Sequence, residues 1–102
     1  MTELTLDQVG EAYSEIEKLA QALSDAPSVE NAAVLRAKCR RFATLMRGRY
    51  GNVAEQLGRI SEVARRFEKS RIDLTEARSD LQRAVARMDI AIDIHRHGIG
   101  GR

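Results

Sequence analysis

Two kinds of side chain in this 102-residue sequence have nucleophilic or metal-binding character: one cysteine, Cys39, and a histidine pair, His95 and His97. On a helix, rings two residues apart point about 200° from each other, so the histidines do not readily share a metal. Asp93 and His97 have i, i+4 spacing, but no third ligand stands nearby. The expected role of the pair is a C-terminal cation cluster favouring the helix dipole. Cys39 stands between Arg36 and Arg40, and adjacent cations lower a thiol's pKa. It also falls in an apolar stripe, far along the chain from the histidines, and is read as a buried structural thiol. The carboxylates fall on polar helix faces rather than in apolar runs, where a tuned acid or base would sit. No glycine-rich phosphate loop follows a strand. The expectation is a non-enzymatic chain with no cofactor.

The arginines offer a second kind of chemistry. Arg36, Arg40 and Arg47 fall within about 40° of one another on a helix. With Arg41 and Arg49 they form a candidate nucleic-acid-binding face, short enough to enter a major groove. Base-stacking aromatics are scarce, with four aromatic residues in all, and the net charge is only +2. Charge is nevertheless segregated. Residues 1–30 hold seven acidic side chains and one lysine, whereas residues 31–54 hold six basic side chains and no acid. Acidic and basic segments side by side would neutralise each other, and nucleic-acid binding is the alternative.

The elements that position these groups are predicted to be helices. The first spans 6–23, with Thr5 and Gln8 at capping-box spacing and Glu3, Asp7 and Glu11 near the positive end of the dipole. Its apolar face is Leu6, Val9, Tyr13, Ile16, Ala20 and Leu23. Gly10 weakens it or permits a close helix crossing. Pro27 ends it, and Ser28 caps a second helix over 29–47 with the stripe Ala32, Leu35, Cys39, Phe42 and Met46. Gly48 and Gly51 make the next break, and Asn52 is the expected cap of a third helix, with Glu55 completing the box. Glu55–Arg59 and Glu62–Arg66 have favourable i, i+4 spacing.

That third helix is predicted to run over 53–95, about 65 Å. Val53, Ile60, Phe67, Leu74, Leu81 and Met88 recur every seventh residue, and Leu57, Ala64, Val85 and Ile92 lie on a second row. Arg71 and Arg78 interrupt that second row. Ile90, Ile92 and Ile94 alternate like a strand, but no second strand exists to pair with them, and helix is preferred. The fold class is therefore all-α: a helical hairpin along one long heptad-patterned helix, in a single domain over 1–97 with a flexible tail at 98–102. A hairpin of half-length helices leaves part of a 65 Å seam uncovered, and monomers seldom expose so much apolar surface. The sequence thus predicts a protein-interaction module, a homodimer joined through Phe67, Arg71, Leu74, Arg78, Leu81, Val85, Met88, Ile90, Ile92 and Ile94. A further protein partner is expected. One thiol, no apolar run of about 20 residues and no leader-like N-terminus give a cytoplasmic expectation without a membrane partner.

Overall fold

The computed structural model describes residues 4–69 and 71–97, and among them forms helices α1 (Leu6–Asp25), α2 (Val29–Met46), α3 (Gly51–Arg66) and α4 (Leu74–Arg96). Glu3 and the proposed tail at 98–102 lie outside the described residues. Capping chemistry sets three of the helix starts. The Thr5 hydroxyl accepts from the Gln8 N–H at 3.2 Å, and the Gln8 amide oxygen accepts from the Thr5 N–H at 2.8 Å. Ser28 accepts from the Asn31 N–H at 3.0 Å. Both satisfy donors that a helix start leaves without an intrahelical partner.

The third start is at Asp73, and it overturns the long helix. Asp73 is extended, and its carboxylate accepts from the Glu76 N–H at 3.1 Å. Upstream, α3 ends in tightened i→i+3 bonds, Phe67 N–H to Ala64 and Glu68 N–H to Arg65 at 3.0 and 3.1 Å. The predicted three-helix arrangement is therefore a four-helix one. The reason is energetic. An unbroken helix would leave Leu81, Val85, Met88 and Ile92 with little cover, and burying each such side chain contributes roughly 1.5–3 kcal/mol. The hydrogen bonds lost at an exposed break are worth only about 0.5–1.5 kcal/mol each, and water and the Asp73 cap replace several of them.

The four helices pack in a ring, α1 on α2, α2 on α3, α3 on α4 and α4 on α1. Cross-links show each neighbouring pair to be antiparallel. Asn31 and Lys38 of α2 meet the Ala22 carbonyl and Glu15 of α1 at 3.5 and 2.9 Å, so ascending positions on α2 pair with descending ones on α1. Across the short Arg47–Tyr50 turn, Arg36, midway along α2, meets Glu68, just past the end of α3, at 2.7 Å. Asn52 at the start of α3 bonds Ala91 near the end of α4 at 3.1 Å. Arg78 near the start of α4 donates to the Ser24 carbonyl of α1 at 2.9 Å. The result is an up-down-up-down bundle about 45 Å long.

Its core joins the predicted stripes of all the helices. Val9, Ile16, Leu23, Leu35, Cys39, Met46, Val53, Leu57, Ile60, Leu81, Met88 and Ile92 are essentially solvent-free. Leu6, Tyr13 and Phe42 pack on it while partly exposed. No polar or charged residue is buried among the described residues, so the core holds by shape and apolar contact alone. None of the described helices is long and apolar enough to cross a membrane.

Two local expectations also change. Asn52 does not cap α3: Tyr50 is the N-cap residue, without a side-chain cap bond, and Asn52 already lies inside the helix. Gly10 does not mark a close backbone crossing, because the nearest atom to an added Cβ is the Arg96 guanidinium tip at 3.5 Å. Gly58 in α3 has open space at that position. Gly58→Ala is expected to raise stability by up to about 1 kcal/mol in denaturant unfolding, since alanine loses less backbone freedom on folding.

Candidate interaction surfaces

The histidine and cysteine chemistry is settled first by geometry. His95 Nε2 lies 2.7 Å from Asn52 Oδ1, while Asn52 Nδ2 donates to the Ala91 carbonyl at 3.1 Å. That orientation makes Oδ1 an acceptor, so His95 donates to it from Nε2. The ring stands edge-on to buried Tyr50, 4.8 Å between centroids. His95 is thus a strut between α3 and α4, and not the free end cation the sequence suggested. His97 is the exposed C-cap residue of α4, and Asp93 is engaged by Arg96 at 2.9 Å. No set of three or more potential metal ligands occurs among the described residues. Cys39 is buried, and loss of hydration pushes its thiol up to about 12. This agrees with the buried structural thiol read from the stripe, and the Arg36 guanidinium turns to Glu68.

The residues proposed for self-association divide into two groups. Phe67, Leu81, Val85, Met88 and Ile92 are core residues of the same chain, which removes the uncovered seam from the argument for a dimer. Arg71 lies exposed at the break, and Arg78 meets the C-terminal end of α1, where a cation is favourable. Ile90, Ile94 and Leu74 remain exposed at 62%, 37% and 37%. Ile90 and Ile94 share one shoulder of α4 with Arg83 and Arg87, within about 60° of arc, while Leu74 lies about 160° from Ile94 round the helix.

Arg83 and Arg87 of that shoulder line an open groove of about 550 Å³ between α3 and α4, with Gly58, Val63 and Ala84 supplying small and apolar lining. One ion pair crosses it, Arg66 of α3 to Asp80 of α4 at 2.7 Å, with Arg83 of α4 also 3.5 Å from Asp80, so Arg66 leaves its predicted partner Glu62. Arg59–Glu55 forms as expected, at 3.1 Å. The Arg66 hydrogen bond holds the Asp80 carboxyl below its usual range. A carboxyl lowered in the folded state stabilises it above the unfolded pKa of about 4, and that contribution disappears as pH falls through the folded value. Asp80→Asn is therefore expected to lower stability at neutral pH and to reduce its loss on acidification. Parallel urea titrations at pH 7 and pH 2.5 check this, and an unchanged slope of stability against pH would refute it.

The basic face is divided too. Arg36, Arg40 and Arg47 line one groove between α2 and α3, of about 230 Å³. Arg65 and Ser61 of α3 join them there, a contribution invisible until the chain turns back at Arg47–Tyr50. Arg41 projects outside this groove, and Arg49 lies over the Tyr50 ring at 5.5 Å. The acidic and basic helices are neighbours as expected, but Lys38–Glu15 is the one ion pair joining α1 to α2 among the described residues. The arginine stripe instead faces α3. Sequence reasoning also missed Val34 and Leu45, exposed on α2 at 48% and 55%. Comparison with protein-family models, curated proteins and solved structures finds no match to this chain.

Proposed function

We propose that the chain is a non-enzymatic protein-interaction module that self-associates through the outer shoulder of α4. One observation carries this reading: Ile90 and Ile94, one turn apart, are held in water on a helix whose opposite face is covered by the bundle from Ala77 to Ile92. Apolar anchors at i and i+4 are the way an amphipathic helix addresses a partner. A two-fold axis near Ile90–Ile94 would stack α4 antiparallel on its copy, each Ile90 beside the partner's Ile94. It would also keep Arg83 and Arg87 at the rim, where charge is tolerated.

Light scattering at micromolar concentration should then give twice the chain mass of 11.4 kDa. Ile90→Lys with Ile94→Lys should return the monomer mass with helicity unchanged, since neither side chain is in the core. A parent protein that is monomeric at that concentration would defeat the proposal. So would a dimer that the double substitution leaves intact.

A further inference from the structure

We propose that the α2/α3 groove is a docking site for an acidic amphipathic helix of a partner protein. Arg40, Arg47 and Arg65 are exposed and converge on this groove, and none has a carboxylate within ion-pair distance among the described residues. Arg36 stands at one end, fixed by Glu68, with its Nε buried and without a hydrogen-bond partner. The chain's own acidic helix leaves them unpaired: α1 packs chiefly on α2 and α4, and its ion pair to α2 among the described residues is Glu15 with Lys38.

The shape and charge favour a protein helix. Arg36 to Arg47 spans eleven residues, about 16 Å or three helical turns, and carboxylates at i, i+4, i+7 and i+11 of a facing helix recur over the same rise. Between the arginines the accessible lining includes Ala43 and Gly58, small groups that let the apolar flank of such a helix approach closely. A phosphate backbone has no group for that lining. The exposed Glu62 on the same groove disfavours a continuous run of phosphates more than carboxylates spaced a helical turn apart, which can sit on the arginines and leave Glu62 facing a neutral position, and Glu68 is already engaged by Arg36. Aromatic stacking partners are also absent from the groove lining. This site is separate from the α4 shoulder, and its test uses different substitutions.

The probe is a synthetic, fluorescein-labelled alanine–leucine helix carrying glutamates at i, i+4, i+7 and i+11, with the all-glutamine peptide as control. Anisotropy in low salt should show binding of the glutamate peptide alone. Arg40→Glu with Arg47→Glu should weaken it at least tenfold, while Arg41→Glu, outside the groove, should change it less than twofold. Circular dichroism confirms that each variant folds, as expected for exposed side chains. Absence of binding, or an equal effect of Arg41→Glu, would overturn the proposal. A duplex DNA or RNA that binds more tightly than the peptide through Arg40 and Arg47 would assign the groove to nucleic acid instead. A loss of self-association in the Arg40, Arg47 double variant would assign it to a second copy, and either outcome overturns the helix.

Discussion

Leu81→Asp is expected to unfold this protein, whereas Ile90→Asp on the same helix is expected to leave it folded. Leu81 is 1% exposed, in the middle of a core without a single buried polar residue among those described. Removing a buried leucine side chain costs about 2–5 kcal/mol by itself. The aspartate must also be neutralised or pull water inward, which adds several kcal/mol more. Domains of this size hold only about 5–15 kcal/mol in total. Ile90 is 62% exposed and loses almost no native contact on substitution. Helical circular dichroism and thermal melting separate the two outcomes. Had 53–95 been one long helix with its seam awaiting a partner, both substitutions would spare the monomer's helicity and both would act on assembly. A folded, helical Leu81→Asp monomer would therefore contradict the bundle.

The Cys39 thiol is expected to react about a thousandfold more slowly in the native protein than in the unfolded chain at pH 8. A free thiol with a pKa near 8.5 is substantially thiolate at that pH, and the thiolate is the reactive form. Burial pushes Cys39 up to about 12, so its native thiolate fraction is smaller by about three orders of magnitude. Steric closure by the core adds to the protection. The same shift makes stability pH-dependent in the alkaline range. The folded value lies above the unfolded one, so the contribution is complete below the unfolded pKa and is lost as pH rises from there toward 12. Reaction with an aromatic disulfide reagent, with and without guanidinium, checks the rate. A native rate within about tenfold of the unfolded rate would mean that the groove side of α2 opens readily and that Cys39 is not held in the core.

The two predictions rest on features that were unequally legible. Cys39 as a core thiol follows from its place in the stripe Ala32, Leu35, Cys39, Phe42 and Met46, of which the structure buries all but Phe42, which stays partly exposed. The apolar members of the heptad rows are likewise buried, from Val53 and Leu57 through Leu81, Met88 and Ile92, except Leu74, which lies exposed at the start of α4. Their partners were misread. Apolar spacing records which face of a helix must be covered, and it is the same whether a partner, a second copy or the chain itself covers it. The break was signalled locally by Asp73 and Glu76 at cap spacing, but it was masked by apolar residues that stay in register across it. Asn52 was misassigned for a related reason. An asparagine after a glycine satisfies the cap pattern, and only the approach of α4 gives its amide better partners in Ala91 and His95.

What the sequence by itself determined was local: an all-α chain, its first two helices to within two residues at either end, its two working side-chain caps outside α4, and the identity of most core residues. These follow from backbone propensity, capping groups and apolar period, all short-range properties. The tertiary structure decided which surfaces face water. It folded the predicted seam inward, left Ile90 and Ile94 outside, and brought Arg65 beside Arg40 and Arg47 while turning Arg36 toward Glu68. Such outcomes depend on which helices become neighbours, and that is set by the summed burial of the whole chain and by no single segment of it.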